Sequence, residues 1–158
     1  MSRRSSAVKR SVLADAKYKS VTVTQLINVV LERGKRSTAE NVVYSALSNL
    51  KEKLGSKDSE VFLFKKALEN IAPALEVKSR RVGGANYQVP IEVPPQRGNA
   101  LAMRWLVDAA QGRSEKDMSA KLGAELVQAF NNEGNAIRKK IETHKMAEAN
   151  KAFAHFKF

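Results

Sequence analysis

Three cations, Lys78, Arg80 and Arg81, stand beside a Gly83-Gly84 pair in the stretch LEVKSRRVGGANYQVPIEV, residues 75–93. Lysine and arginine need no cofactor to neutralise and hydrogen-bond phosphate. Their setting matters because the residues around them alternate. Val77 before the glycines and Tyr87, Val89, Ile91 and Val93 after them repeat with period two, the pattern of a half-buried ribbon. Gly83-Gly84 supplies the positive φ that a tight hairpin turn requires. The spacing therefore predicts a β-hairpin with a cationic tip, a probe for polyanions, to which Ser79 adds a neutral donor. Glu76 and Glu92 stand further from the tip and are expected not to neutralise it. The alternative is a solvated hairpin whose basic residues guard the edge against pairing.

Other chemistry finds little support. His144 and His155 are the only histidines and there is no cysteine, so histidine metal clusters, thiolate sites and disulfides drop out. No nucleophile elbow, phosphate-cradling Walker loop or G-x-G-x-x-G occurs. Most acids have basic helix neighbours, as Glu32 with Arg36 and Glu148 with Lys145. No enzyme, cofactor or metal is expected. The chain of 158 residues carries 28 Lys and Arg against 16 Asp and Glu, a net charge of +12. Such a surplus repels itself in the compact state unless a polyanion neutralises it. No run approaches the roughly 18 apolar residues of a membrane span, so a soluble chain with no membrane partner is expected.

The rest of the chain reads as helices that position the hairpin. Residues 1–20 carry Arg3, Arg4, Lys9, Arg10, Lys17 and Lys19 against Asp15 alone, which predicts a basic arm with little to pack. Val23, Leu26, Ile27, Val30 and Leu31 form a helical stripe, with Thr22 and Gln25 as a capping box and Gly34 as the stop. Ser37 with Glu40 makes a second box, opening a helix to about Leu54 that buries Ala39, Val43, Ala46, Leu47, Leu50 and Leu54. A third helix runs from about Ser59 to Ile71 on Val61, Phe64, Leu68 and Ile71, and Pro73 ends it. After the hairpin, Pro94-Pro95 closes the second strand. A fourth helix follows over about 99–110, with Leu101, Trp105, Leu106 and Ala109 inward. Ser114 or Asp117 caps a fifth, which turns Met118, Leu122, Leu126 and Ala129 inward. A last, weakly apolar helix spans about 135–150, where Ile137 and Ile141 flank Arg138, Lys139 and Lys140.

The expected fold is mainly α: a single six-helix domain, residues 21–150, with a β-hairpin arm at 75–93 inserted between the third and fourth helices. A basic N-terminal arm (1–20) precedes it and an aromatic tail (151–158) follows, where Phe153, Phe156 and Phe158 can stack on bases or dock on protein. Arm, first interhelix link, hairpin and last helix are all basic. Cations spread over several elements suit a folded RNA better than a DNA groove, and Ser37, Thr38, Ser79 and Asn99 add neutral donors. A helix-turn-helix reading of 22–47 is weakened because Ala39, Val42 and Val43 leave mainly Asn41 to read bases.

The runs VKSRRVGGANYQVP (77–90), NALAMRW (99–105), MAEANKAFAHF (146–156) and GKRSTAENVVYSAL (34–47) closely resemble the small-subunit ribosomal protein seven family, in its bacterial and organellar branch. The resemblance implies a primary binder of the 3′ major domain of small-subunit ribosomal RNA that nucleates head assembly. It places Lys78, Ser79, Arg80, Arg81, Gly83 and Gly84 in an arm near exit-site transfer RNA and the messenger path. Arg3, Arg4, Lys9, Arg10, Lys35, Arg36 and Ser37 would hold ribosomal RNA, with Arg97, Asn99, Arg104, Lys139 and Lys140 as further candidates. Small-subunit proteins nine, eleven and thirteen would be neighbours, in the cytoplasm or an organellar matrix or stroma, with no homo-oligomer. The chain departs from the family pattern in three places. Pro94 and Gly98 leave only Arg97 before the fourth helix, Gln111 and Gly112 leave only Arg113 after it, and Phe158 replaces a tryptophan.

Overall fold

The computed structural model describes residues 10–156; Arg3, Arg4, Lys9 and Phe158 lie outside the described residues. Helices α1 (Val21–Val30), α2 (Arg36–Leu54) and α3 (Glu60–Ile71) lead into strands β1 (Leu75–Val82) and β2 (Ala85–Glu92). Helices α4 (Pro95–Gln111), α5 (Met118–Phe130) and α6 (Asn135–Ala149) follow, and a 3-10 turn (Lys151–Phe156) ends the described chain.

The core forms where the helical stripes meet. Val23, Leu26 and Ile27 of α1, Val43, Leu47 and Leu50 of α2, Leu63, Phe64 and Ile71 of α3 and Leu122 and Leu126 of α5 are fully or almost fully buried. Helix α5 is the hub, packing on α2, α3, α4 and α6. At Gly123 it comes close to α2, where an added Cβ would stand 3.1 Å from Asn49 Cβ and 3.3 Å from the Ala46 carbonyl oxygen. Even a methyl group there would press Asn49 and the α2 backbone back by a few tenths of an ångström.

Several local expectations give way. Neither predicted capping box forms. α1 begins after Ser20 and α2 after Lys35, both without a side-chain cap, and Ser37 lies inside the first turn of α2. Ser59 alone among the N-cap residues described accepts a backbone N–H, from Phe62 at 3.3 Å. Asp117 stands at the start of α5 but makes no side-chain cap. α4 begins earlier than expected, with Pro95 as its first residue rather than as a strand terminator. A first helical residue has no intrahelical use for its N–H, so proline fits. The buried face is Ala102, Met103, Leu106, Val107 and Ala110, while Leu101, Trp105 and Ala109 are only half-buried. Of the two isoleucines on the weakly apolar α6, Ile137 is buried and Ile141 is exposed.

The hairpin is antiparallel, with Val82 opposite Ala85 and a two-residue turn at Gly83 (φ 58°) and Gly84 (φ 90°). Burial fades along it. Val89 and Pro90 are buried near the base, and Arg81, Gly83 and Gly84 are exposed at the tip. The base rests on the rest of the molecule through α6, which packs on both strands, and through the 3-10 turn, which packs on β2. His144 of α6 accepts the Ala74 N–H through Nε2 at 3.1 Å, and Phe153 tilts against Tyr87 with ring centroids 5.2 Å apart. Phe153 of the aromatic tail thus docks on its own hairpin.

The N-terminal stretch also reaches the body. Asp15 is buried; its carboxylate accepts the backbone N–H groups of Lys17 and Tyr18 at 3.0 Å and the Tyr44 hydroxyl at 2.7 Å. Tyr18 meets Tyr44 edge-on, with ring centroids 5.7 Å apart, and Lys17 Nζ lies over both rings. The stretch with little to pack is therefore shorter than residues 1–20, because the one acid in it is an anchor.

Candidate nucleic-acid interface

Phosphate binding needs cations whose charge is not already spent inside the protein, and the structure sorts the candidates on that criterion. In the link between α1 and α2, Lys35 is exposed and its ammonium has no partner among the described residues. Arg36 beside it projects from the first turn of α2 and pairs with Glu40 at 2.7 Å, one turn on. That pair is exposed and weak, so phosphate can displace it at little cost. Ser37, freed from capping, keeps its hydroxyl on the exposed side of the same turn. Arg10, ahead of the Asp15 anchor, is exposed as well.

At the hairpin, Arg81 extends from the exposed tip with no partner among the described residues, and Ser79 is exposed two residues before it. Arg80, half-buried, stands opposite Tyr87 in the register. Lys78 is different. Glu76 approaches its ammonium at 3.6 Å, so the acid that seemed too far from the tip does reach the nearest of its cations. Glu76 itself is buried and gripped by Arg97 of α4. The Arg97 Nε donates to both carboxylate oxygens, at 2.8 and 2.9 Å, and Nη2 donates to Oε2 at 2.8 Å. These bonds from Arg97 outweigh burial and hold the Glu76 carboxyl below the usual carboxylate range. Arg97 is thus a clamp between α4 and the hairpin base. Asn99 lies in the second turn of α4, not at its N-terminus, and Arg104 is exposed on the outer face.

On α6 the two candidate lysines part company. Lys139 is exposed with a free ammonium among the described residues. Lys140 is half-buried, donates to the Asn70 carbonyl oxygen at 2.7 Å, and is pushed below its ordinary pKa by burial. It fastens α6 to the end of α3, where the Asn70 amide also donates to the Ala129 and Phe130 carbonyl oxygens at 3.0 and 3.2 Å.

Arg113, the one cation left after α4, turns inward. Its Nη1 donates to Glu125 Oε2 and to Gln128 Oε1, both at 2.8 Å, while Nε and Nη2 engage Glu115 at 2.9–3.1 Å. Glu125 is fully buried, and its other oxygen accepts the Ala136 N–H at 2.9 Å in the first turn of α6. One carboxylate therefore joins the segment after α4 to the start of α6. A signal for this existed in the sequence: Glu125 falls inside the stripe of Leu122, Leu126 and Ala129, where an unpaired charge is untenable. Asp15 was missed for a similar reason, since a lone acid among cations reads as solvated.

Among the described residues no group of three or more His, Asp or Glu could hold a metal ion. His144 is committed to the hairpin base, where burial and then the Lys140 charge hold its imidazole below the ordinary value. No described helix is long and apolar enough to cross a membrane.

The arrangement can bind an extended polyanion from several directions: the α1–α2 link, the hairpin tip, the outer face of α4 and the exposed face of α6. Comparison with known proteins places the chain in a family. A family profile described as ribosomal protein S7p/S5e matches residues 2–151. Curated proteins named small ribosomal subunit protein uS7 align with the whole chain over their own whole length. Those of Thioalkalivibrio sulfidiphilus, Nitrosomonas eutropha and Methylorubrum extorquens are 53%, 54% and 51% identical over 158 residues. A profile match over nearly the whole chain, with identity above one half, settles the kinship: the chain belongs to the S7p/S5e family of ribosomal proteins, structural components of the small subunit and not enzymes.

Proposed function

We propose that this chain is a primary RNA-binding protein of the small ribosomal subunit, in which it binds the 3′ major domain of the ribosomal RNA and nucleates folding of the head. The observation that supports this best is the distribution of cations not spent inside the protein. Lys35, Arg81, Arg104 and Lys139 are exposed on separate elements, without partners among the described residues. Such a layout engages several helices of a folded RNA at once by shape and phosphate contact, and holds them together. The hairpin extends past the body, with its exposed tip available to exit-site transfer RNA and the messenger. Small-subunit proteins nine, eleven and thirteen are the expected protein neighbours, in the cytoplasmic ribosome.

A filter-binding titration of the full chain against a transcript of the 3′ major domain tests the reading. Roughly six to eight phosphate contacts predict a loss of about three to five decades of affinity between low and moderately high salt. Flat salt dependence, or equal affinity for duplex DNA, would refute it.

A further inference from the structure

Trp105 was expected in the core, yet it is only half-buried: it packs against the core and also lines an open groove of about 380 Å³. The other walls are Asp108, Ala109 and Gly112 from the end of α4, and Asn135 and Lys139 from α6. None of the polar ends here is spent on the protein. The indole N–H, the Asp108 carboxylate, the Asn135 amide and the Lys139 ammonium have no hydrogen-bond or ion-pair partner among the described residues. The contrast with Arg97, Arg113 and Lys140 nearby, each locked to an internal acceptor, is sharp.

An aromatic ring, a cation and side chains that both donate and accept are the three things an unstacked nucleotide needs. The ring offers a π-face to the base, the cation meets its phosphate, and the amide and carboxylate meet the base edge. We propose that this groove is a subsite for a single unpaired nucleotide of the bound RNA, its base stacked on Trp105 and its phosphate against Lys139. Asp108 adds a preference. A carboxylate accepts best from guanine, whose N1–H and N2–H stand side by side, and less well from uracil, whose single N3–H lies between two carbonyl oxygens. The net charge of +12 makes an anionic strand the occupant, in preference to a basic protein segment. The proposal rests on the reading of the chain as an RNA-binding protein and adds to it a base contact where the other contacts are to backbone.

Trp105 is the only tryptophan, so its emission reports on this groove alone. Titrating the full chain with the 3′ major domain transcript should quench that emission in step with binding. Trp105→Leu keeps apolar packing but loses the aromatic face, and should weaken binding about tenfold with an unchanged salt slope. Lys139→Ala should lower the salt slope by about one. If Trp105→Leu fails to fold by circular dichroism, Trp105→Phe takes its place, with near wild-type affinity expected; a large loss with that ring present counts against stacking.

Three outcomes overturn the proposal. RNA binding with steep salt dependence, unchanged emission and wild-type affinity in Trp105→Leu would leave the groove without RNA while the general reading stands. Emission unchanged by the transcript but quenched in assembled subunits would give the groove to a protein neighbour. Failure of the wild-type chain to bind the transcript at all would remove both readings.

Discussion

Arg97 closes on both oxygens of Glu76, and the two residues join the first turn of α4 to the second residue of β1. The same carboxylate draws in Lys78 at 3.6 Å, so one acid holds the root of the hairpin from two sides. A hairpin stands at a defined angle only if its root is fixed. The clamp does that with a charge that would otherwise appear to belong to the RNA-binding surface.

Arg97→Ala should lower the melting temperature by about 3–6 °C, since it leaves a buried carboxylate with only Lys78 for company. The salt slope of RNA binding should stay as in the wild type, because no phosphate contact is lost. A slope lowered by about one, with unchanged stability, would return Arg97 to the RNA.

The Arg113–Glu125 pair should prove costlier. Arg113→Ala strands a fully buried carboxylate and should destabilise the protein by about 3–5 kcal/mol in urea denaturation. Gly134→Ala attacks the same cluster from the backbone. Gly134 has φ +93°, and an added Cβ would lie 2.7 Å from Glu125 Oε1. The start of α6 should then fray first, seen as faster amide exchange at Ala136.

Removing residues 1–12 should weaken RNA binding by about 2–4 kcal/mol, at roughly 0.5–1 kcal/mol per lost surface contact. The melting temperature should move little, because the anchor at Asp15 remains. Asp15→Ala should cost about 1–3 kcal/mol, since Tyr44 and two backbone N–H groups lose their acceptor. Burial raises the Asp15 carboxyl, but the bonds from Tyr18, Tyr44 and Lys17 together win and depress it below its ordinary 3.8. Its contribution is therefore present above that value and lost as pH falls through the folded pKa. Thermal scans from pH 5 to pH 2.5 should show a smaller acid loss in the variant.

His144 predicts a second, milder window. Its folded pKa lies below the ordinary 6.5, so the unfolded chain takes the proton first as pH falls. Stability is full above about 6.5 and declines below it, as a protonated Nε2 no longer accepts from Ala74. Urea midpoints at pH 7.5 and 5.5 should differ in the wild type and converge in His144→Gln.

At the tip, function should separate from folding. Replacing Arg80 and Arg81 by alanine touches little core and should leave circular dichroism and entry into small subunits intact. Altered exit-site occupancy or reading-frame maintenance is the expected defect. Strong depletion of the folded variant from subunits would make the tip an assembly anchor instead.

Periodicity revealed the helices and the hairpin because both signals are local. Val23, Leu26 and Ile27, or Gly83 and Gly84, carry their meaning in their own neighbourhood. Boundaries were less legible, since Pro95 serves a strand end and a first helical residue equally well; the buried face of α4 was missed separately, because packing against α1, α3, α5 and α6 turns Ala102, Met103 and Val107 inward. The cations were the hardest. Arg97, Arg113, Lys139 and Lys140 look alike in the chain, and only Lys139 keeps its charge for an outside partner. What separates them is the acceptor each meets 12, 21 or 70 residues away, at Glu125, Glu76 and the Asn70 carbonyl. Such pairings depend on tertiary structure, and the two longer ones lie outside any local window of sequence.

The bond from Ala74 to His144 spans 70 residues, which sets a clock on manufacture. At about 5–20 residues per second, the ribbon leaves the exit tunnel some 4–14 s before the helix that braces it. A nascent chain thus carries its cationic tip on an unsupported stalk for a time equal to nearly half of its own translation. Bracing arrives only once α6 and the turn bearing Phe153 have emerged, so a chain released early would offer RNA a charged but misaimed finger.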